Sequence, residues 1–359
     1  MALCLCRCHA MARMYYPFSR LFRNFSSSSC LKSNRGEVIM NVFDRKAKRM
    51  HRDRSAVMPD YKVYEYIKEE IGYRVADRVG DIKREFEVLV DLGCGRGYVS
   101  KHLLKDTVKT IYQCELSEKM LSQSEVSIEV PTYRIVADEE YFPFRDNSLD
   151  IVVSSLSLHW VNDLPGCFKQ VFNALKPDGV FLGCMFGGDT LFELRVALQL
   201  AEQEREGGIS PHISPFTSVQ DLGNLLNRAG FTMLTMDVDE MKITYPSIYE
   251  LMYDLKGMAE NNCTWSRKPA LRRDTIMAAD AIYRDMYGQK EGLPATFQAI
   301  YFIGWKPHPS QPKPAQRGSG QMSLKDIANL ADITETLTPE DAKKISDMLS
   351  NMEEDPKKT

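Results

Sequence analysis

One stretch decides the fold, and it reads Val88-Leu89-Val90-Asp91-Leu92-Gly93-Cys94-Gly95-Arg96-Gly97-Tyr98-Val99. Its apolar beginning predicts a buried strand, and three alternating glycines follow. Glycine tolerates positive φ and lets the backbone approach a ligand closely. We expect a helix over residues 98–105, whose first N–H groups would face the same ligand. The stretch therefore predicts one wall of a nucleoside pocket.

The residues around this stretch alternate between strand and helix patterns. Strand-like runs occur at 87–92, 110–115, 132–137, 149–155 and 179–186, and helical segments at 117–124 and 163–175. Later helices are expected at 190–204, 218–229, 247–259 and 271–287, with strands at 232–240 and 297–305. This order predicts an α/β fold with a parallel sheet, helices on both faces and a terminal hairpin. Ligands of such sheets bind beyond the carboxyl ends of the strands.

The 359 residues divide into four parts by composition. Residues 1–36 carry arginines and serines but no acid, which predicts a mitochondrial transit peptide. Residues 37–60 form a basic N-terminal segment. We expect the charges of residues 41–60 to form a solvated helix face, and contact with anionic lipid or a partner is the alternative. Residues 61–306 hold the α/β pattern. Residues 307–359 predict a linker and a short C-terminal helix.

Charge and cysteine content exclude several classes of function. The formal net charge is −3, and residues 1–36 contain six basic residues and no acid, so the rest of the chain has a net charge of −9. An acidic body argues against nucleic-acid binding and suits a basic substrate. No apolar run is long enough for a transmembrane helix, so membrane contact would be peripheral. The cysteines beyond residue 36 are scattered singly, which predicts neither a zinc site nor a disulfide framework.

Polar residues at the strand ends supply the remaining walls of the pocket. Glu115 ends the second strand, where an acid can accept both ribose hydroxyls of a nucleoside. Asp138 follows the third strand and is placed to accept from an adenine amino group. Ser154 lies at the end of the fourth strand, and either Ser154 or Leu156 could line the cofactor. Asp91, Gly93, Gly95 and Gly97 complete the predicted cofactor site.

The kind of nucleoside follows from what the turn lacks. There is no G-x-x-x-x-G-K-[ST] phosphate loop, and the glycines do not have the spacing of dinucleotide binders. Such a turn suits a nucleoside with a sulfonium or carboxylate better than a polyphosphate. His159 and Trp160 could reach toward the acceptor, although a histidine beside a tryptophan is more often a packed, hydrogen-bonded pair than a base.

As a set, these motifs resemble the class I S-adenosylmethionine methyltransferases. The resemblance includes the Lys176-Pro177-Asp178-Gly179 turn and covers roughly residues 60–306. It implies a seven-stranded Rossmann-like sheet of order 3-2-1-4-5-7-6 with an antiparallel last strand. It also implies S-adenosylmethionine as the cofactor, with the glycine turn on its methionine part and Glu115 on its ribose.

Other segments narrow the resemblance to the mitochondrial complex I assembly factors of methyltransferase type. These are residues 41–45, 154–165, 185–191 and 204–216. The resemblance implies arginine hydroxylation of an iron–sulfur subunit of complex I, early in assembly and with other assembly factors. It places the protein peripherally on the matrix side of the inner membrane. Trp160, Asp189 and His212 would then lie in substrate loops.

The residues themselves do not establish hydroxylation. A non-haem iron centre uses two histidines and one carboxylate, and His159, His212 and Asp189 could meet only through folding. We therefore predict no metal site. Two alternatives remain open: a methyltransferase for a small molecule, an acyl carrier or a protein, since methyl transfer mainly needs proximity, and an assembly chaperone without catalytic activity.

Overall fold

The computed structural model describes residues 21–22, 41–312 and 318. Most of the predicted transit peptide and the whole predicted C-terminal helix lie outside these residues. The described residues up to Pro309 belong to one compact unit, and the few beyond it belong to a second.

The described residues of this unit contain seven strands in one mixed sheet. In chain order they are β1 (Phe86–Leu92), β2 (Val108–Glu115), β3 (Thr132–Val136), β4 (Leu149–Ser155), β5 (Leu175–Phe186), β6 (Thr232–Tyr245) and β7 (Leu293–Trp305). The strand order is β3-β2-β1-β4-β5-β7-β6, and β7 runs antiparallel to both of its neighbours. The predicted sheet is confirmed.

Helices cover both faces of the sheet. The α-helices of the described residues are α1 (Arg45–Ala56), α2 (Tyr66–Gly80), α3 (Glu118–Ser122), α4 (Leu164–Ala174), α5 (Phe192–Glu206), α6 (Val219–Ala229), α7 (Ile248–Gly257) and α8 (Arg273–Tyr287). One apolar cluster joins the sheet to α2, α5 and α8, and the other joins it to α4 and α6. Neighbouring strand residues such as Leu89 and Val90 belong to opposite clusters, as the pleat requires. Within the part of the chain described, no helix is both long and apolar enough to cross a bilayer.

The order in which strands are added to the sheet reverses at β1, which pairs with β2 on one side and with β4 on the other. The chain crosses over in opposite senses on the two sides of this point, so a crevice opens at the carboxyl ends of β1 and β4. The glycine turn follows β1 at this crevice. The fold therefore brings the ends of β1, β2, β3 and β4 to one edge of the sheet.

The prediction of a helix over residues 98–105 is wrong. The chain forms only a short 3₁₀ turn at Ser100–His102 and is extended at Leu103. The Ser127 hydroxyl donates to the Leu103 carbonyl at 2.8 Å, and the Ser100 hydroxyl donates to Asp91 at 2.6 Å. The first of these bonds takes a carbonyl that a continuing helix would use. No helix N-terminus therefore stands behind the glycine turn.

Candidate active site

The glycine turn has the backbone conformation that the sequence predicts. Gly93, Gly95 and Gly97 have φ values of +73°, +57° and +84°. The amides of Gly93 and Cys94 donate to the Cys114 carbonyl, which fastens the turn to the end of β2. A Cβ on Gly93 would stand 2.1 Å from the Ser157 hydroxyl oxygen. Glycine is therefore required here by both the torsion angle and the available space.

A buried acidic cluster lies beside this turn. Glu115 is fully buried at the end of β2, and Glu139 is fully buried just after β3. One Glu115 oxygen accepts the Gly95 amide at 3.1 Å, and the other accepts the Ser117 amide at 2.9 Å. Asp138, which is partly exposed, lies next to Glu139 in the chain. Glu115 and Asp138, the acids predicted for a nucleoside, therefore both lie at the carboxyl-end edge of the sheet.

Two arginines of α1 neutralise this acidic cluster. Arg52 Nη1 lies 2.7 Å from Glu115 and 2.9 Å from Glu139, and its Nη2 donates to Ser157 at 2.8 Å. Arg45 pairs with Asp138 at 2.7 Å and also with Glu139. Burial alone would raise the pKa of Glu139, but Arg45 and Arg52 hold it well below its ordinary value.

The expectation that residues 41–60 form a solvated basic face is wrong for α1. Arg52 is 4% exposed and Lys48 is 1% exposed. Both side chains point inward because the acids at the sheet edge and beyond it require cations when buried. Arg49, on the same helix, remains exposed. The segment is therefore an integral part of the site.

The residues at the turn fit S-adenosylmethionine in part. Asp91 Oδ1 is buried without a hydrogen-bond partner, and burial raises the pKa of Asp91 to about 7. This atom can accept one more hydrogen bond. A carboxylate offers about four acceptor positions, and Glu115 already fills three of them with Arg52, Ser117 and Gly95. Two ribose hydroxyls can therefore be accepted only if Arg52 leaves.

Asp138 and Ser154 have internal partners. Asp138 Oδ1 accepts from Arg45 and from the Glu140 amide. The Ser154 hydroxyl is buried and donates to the Leu92 carbonyl at 2.8 Å, which ties β4 to β1. Ser154 therefore links the ends of β1 and β4. Its hydroxyl donates to the protein and not toward a cofactor, which differs from the prediction.

A second buried polar cluster surrounds Glu260. Its Oε2 accepts the Trp160 indole N–H at 2.8 Å and lies 3.2 Å from His159 Nε2. Lys48 and Lys68 flank the carboxylate at 3.5 Å and 3.1 Å. Burial favours the neutral acid, but Lys48 and Lys68 hold the pKa of Glu260 well below its ordinary value. Glu260 is therefore an anion in the interior.

Trp160 and His159 belong to this cluster rather than to an open loop. Trp160 is 1% exposed, and the Lys48 ammonium lies 3.6 Å from its ring centroid. The prediction that Trp160 lies in a substrate loop is wrong, because Phe43 and Lys48 cover it. His159 packs between Phe186 and Phe216. Burial lowers its pKa, and its Nδ1 has no partner.

Asp189 and His212 lie in separate places. Asp189 is exposed and accepts from the Gln298 amide at 3.0 Å. His212 Nε2 lies 2.9 Å from Glu202 and 3.1 Å from the Ser210 hydroxyl. Since His159 instead meets Glu260, the three residues do not form one ligand set. Among the residues described, no group of three or more histidines, cysteines or acids could hold a metal ion.

Two adjacent cavities lie beside the second cluster. The first has a volume of about 250 Å³ and reaches Phe186, His212, Phe216, Glu260 and Phe297. The second has a volume of about 280 Å³ and shares the wall of residues 211–214 with the first. Both cavities meet the segment between α5 and α6 that the sequence resemblance singles out. His212 therefore lines a cavity, as its prediction as a substrate-loop residue requires.

Several residues of the site were not predicted from the sequence. These are Arg45, Lys48, Arg52, Glu139, Glu202 and Glu260. One signal was present: Lys48 and Arg52 stand four residues apart beside small side chains, so they share one helix face. Glu139 and Glu260 carry no local signal, because their partners are distant in the chain.

Comparisons with known proteins agree with this fold. A sequence model described as a methyltransferase domain matches residues 90–183. The chain is 56% identical over 295 residues to the Mus musculus protein named "Arginine-hydroxylase NDUFAF5, mitochondrial", covering 82% of this chain and 86% of that protein. The Homo sapiens protein of the same name is 54% identical over 295 residues, covering 82% and 85%. The Gallionella capsiferriformans malonyl-[acyl-carrier protein] O-methyltransferase is 29% identical over 280 residues, covering 75% and 93%.

The sheet order and the matching domain define a protein of the class I methyltransferase superfamily. Within that superfamily, the chain belongs to the NDUFAF5 family, whose relatives named here are mitochondrial. The bacterial methyltransferase is a more distant relative that shares most of the same span.

Proposed function

We propose that this chain is a mitochondrial arginine hydroxylase that modifies an iron–sulfur subunit of complex I early in assembly. The observation that carries the proposal is the 56% identity, over 82% of this chain, to a protein named as an arginine hydroxylase. The proposed partners are the complex I subunit and other assembly factors, and they are inferred from the sequence resemblance. A peripheral position on the matrix side of the inner membrane agrees with the predicted transit peptide.

The cofactor proposal is S-adenosylmethionine at the glycine turn. Asp91, Gly93, Gly95 and Gly97 would hold its methionine part, while Glu115 would hold the ribose and Asp138 the adenine. When bound, this group supplies an electrophilic methyl group. The unpartnered Asp91 Oδ1 and the positive φ values of the turn support its binding. Arg52 must first leave Glu115.

His159 is the proposed catalytic residue. It lies behind two residues of the cavity wall. Its ring touches Phe186 and Phe216, which line the first cavity. Its lowered pKa leaves the imidazole neutral near pH 7, so it could accept a proton at Nδ1. This neutral imidazole, beside Glu260 and two phenylalanines of the cavity wall, can accept a proton from an acceptor group during methyl transfer.

A second candidate function is methyl transfer. It is favoured by the similarity to the malonyl-[acyl-carrier protein] O-methyltransferase, which is 29% identical over 75% of this chain. Under this alternative the two cavities would accept the methyl acceptor.

Mass spectrometry of the complex I iron–sulfur subunit separates the candidates. The subunit is isolated from cells that lack the protein and from the same cells with the wild-type chain restored. Loss of the mass of one oxygen from an arginine, reversed by the wild-type chain, is the expected result. Loss of the mass of one methylene supports methyl transfer instead. An unchanged subunit with failed assembly contradicts both enzymatic functions and leaves the chaperone.

A further inference from the structure

The first cavity has walls suited to a long side chain with a cationic end. Its volume of about 250 Å³ is below the ~300–1,000 Å³ of sites for drug-sized ligands. Large aliphatic residues and three phenylalanines form about half of its lining, and Glu260 contributes a carboxylate. The aliphatic residues are Leu191, Leu194, Leu198, Ile213, Met252, Leu255 and Leu271.

Glu260 retains hydrogen-bonding capacity on one oxygen. Its Oε2 is shared among Trp160, His159 and Lys48. Its Oε1 has Lys68 at 3.1 Å as its partner within the described residues. A carboxylate oxygen accepts about two hydrogen bonds. One acceptor position therefore remains on an ionised side chain that reaches the cavity.

The other charges at the cavity are already paired. Lys268 pairs with Glu202 and with Glu206, the latter at 2.7 Å. Arg267 pairs with Asp44 at 3.1 Å. These two cations are therefore balanced by acids.

An unpartnered polar group adds to this picture. The Ser214 hydroxyl oxygen is buried without a hydrogen-bond partner, and Ser214 lines both cavities at 3% exposure. A buried hydroxyl without a hydrogen-bond partner costs about 1–3 kcal/mol of folding free energy. A polar ligand atom in the cavity would satisfy it.

We propose that the first cavity holds the side chain of the substrate arginine, with Glu260 pairing with the guanidinium and the phenylalanine rings covering its faces. Guanidinium groups stack on aromatic rings and donate to carboxylates in a planar geometry. The aliphatic wall contacts the methylene stem. This inference rests on the proposed function and identifies the part of the substrate that the cavity recognises.

Entry of a cation has a consequence for Lys48. Burial lowers the pKa of Lys48 to about 7, with Glu260 opposing that shift and Arg52 and Lys68 adding to it; Cys263 also faces it. A guanidinium beside Glu260 lowers this pKa further by repulsion. Binding near pH 7 therefore releases a proton, and the measured binding enthalpy varies with the ionisation enthalpy of the buffer.

The test uses the full chain and two probes that differ only at the side-chain end. N-acetyl-arginine N-methylamide carries a guanidinium, and N-acetyl-citrulline N-methylamide carries a neutral urea of similar shape. Calorimetry should show that the arginine probe binds about tenfold or more tightly, as expected for a hydrogen bond between charged groups. Equal affinities, or no binding of either probe, overturn the proposal.

Three variants locate the binding. Glu260→Gln should remove the preference for arginine, whereas Glu204→Gln, on the exposed surface of α5, should keep it. Because Glu260 also anchors Trp160, its variant is first checked by thermal unfolding. If it does not fold, Phe216→Leu is used, and its arginine affinity should fall several-fold. Unchanged arginine selectivity in a folded Glu260→Gln variant overturns the proposal, and so does unchanged arginine affinity in Phe216→Leu where that variant is used.

The two hypotheses fail in different ways. If the subunit lacks the hydroxyl group but the wild-type chain selects arginine at this cavity, the proposed function is wrong and the guanidinium site stands. If the hydroxyl group is present but the cavity variants leave arginine selectivity unchanged, the proposed function stands and the cavity has another role.

Discussion

Replacing Arg52 with methionine tests how the basic helix α1 controls the acidic cluster. The variant keeps a side chain of similar length and removes the guanidinium. Arg52 lies 2.7 Å from Glu115 and 2.9 Å from Glu139, and both acids are fully buried. Removing one partner of a buried ion pair costs about 3–5 kcal/mol. We therefore expect the free energy of unfolding to fall by about that amount.

The same substitution should have the opposite effect on ligand binding. In the wild type, a ribose must displace Arg52 from Glu115, and a hydrogen bond between charged groups is worth about 1.5–3 kcal/mol. The variant has no such bond to break. S-adenosylhomocysteine should therefore bind it roughly 10- to 150-fold more tightly.

Urea denaturation followed by circular dichroism measures the stability, and calorimetry measures the binding. Arg49→Met is the matched control, because Arg49 lies on the exposed side of the same helix. The control should change the free energy of unfolding by less than about 0.5 kcal/mol. Weaker S-adenosylhomocysteine binding by a folded Arg52→Met variant would show that Arg52 holds the ligand, and would refute the reasoning.

Three further predictions concern the crevice and the core. Burial raises the pKa of Asp91 to about 7 from 3.8, so its contribution to the free energy of unfolding is present at low pH and is lost as the pH rises through about 7. Asp91→Asn should therefore stabilise the protein more at about pH 8 than at about pH 5 in urea titrations, and an equal effect at both contradicts this. Gly93→Ala places a Cβ 2.1 Å from the Ser157 hydroxyl and should lower the melting temperature, whereas Gly188→Ala, with open space around it, should not. Leu222→Ala, in the core, should lower the free energy of unfolding by about 2–5 kcal/mol, and a loss below about 1 kcal/mol would contradict its assigned packing.

The sequence predicted the sheet well because its strands have strong local patterns. Strands such as β1 and β4 are buried by helices on both faces, so their apolar runs stand out. The hairpin strands are longer than predicted: β6 extends to Tyr245 and β7 begins at Leu293. The polar residues of β6 break the pattern, yet pairing between the two strands continues to their ends. Pairing at long range therefore outweighed local composition.

The site was harder to predict because its bonds join distant residues. The positions of Asp91 and Glu115 at the ends of β1 and β2 were predicted correctly, since a strand end can be recognised from its own neighbours. Arg52 bonds to Glu115 across 63 positions, and Trp160 bonds to Glu260 across 100. A single sequence gives the charges of these residues but not their partners. Basic residues on α1 therefore suggested a solvated face when they in fact neutralise buried acids.

The two clusters share one helix, and this makes their ligands interdependent. Lys48 contacts Glu260 and Trp160 beside the cavity, while Arg52, one turn further along α1, contacts Glu115 beside the glycine turn. A displacement of α1 that withdraws Arg52 from Glu115 also moves Lys48, which is 3.5 Å from Glu260. Withdrawing a cation from Glu260 increases its attraction for a guanidinium. Saturating S-adenosylhomocysteine should therefore tighten binding of the arginine probe, and the arginine probe should tighten S-adenosylhomocysteine binding by the same factor. Calorimetry in both orders measures the two factors, and affinities that do not depend on the other ligand would show that α1 does not couple the sites.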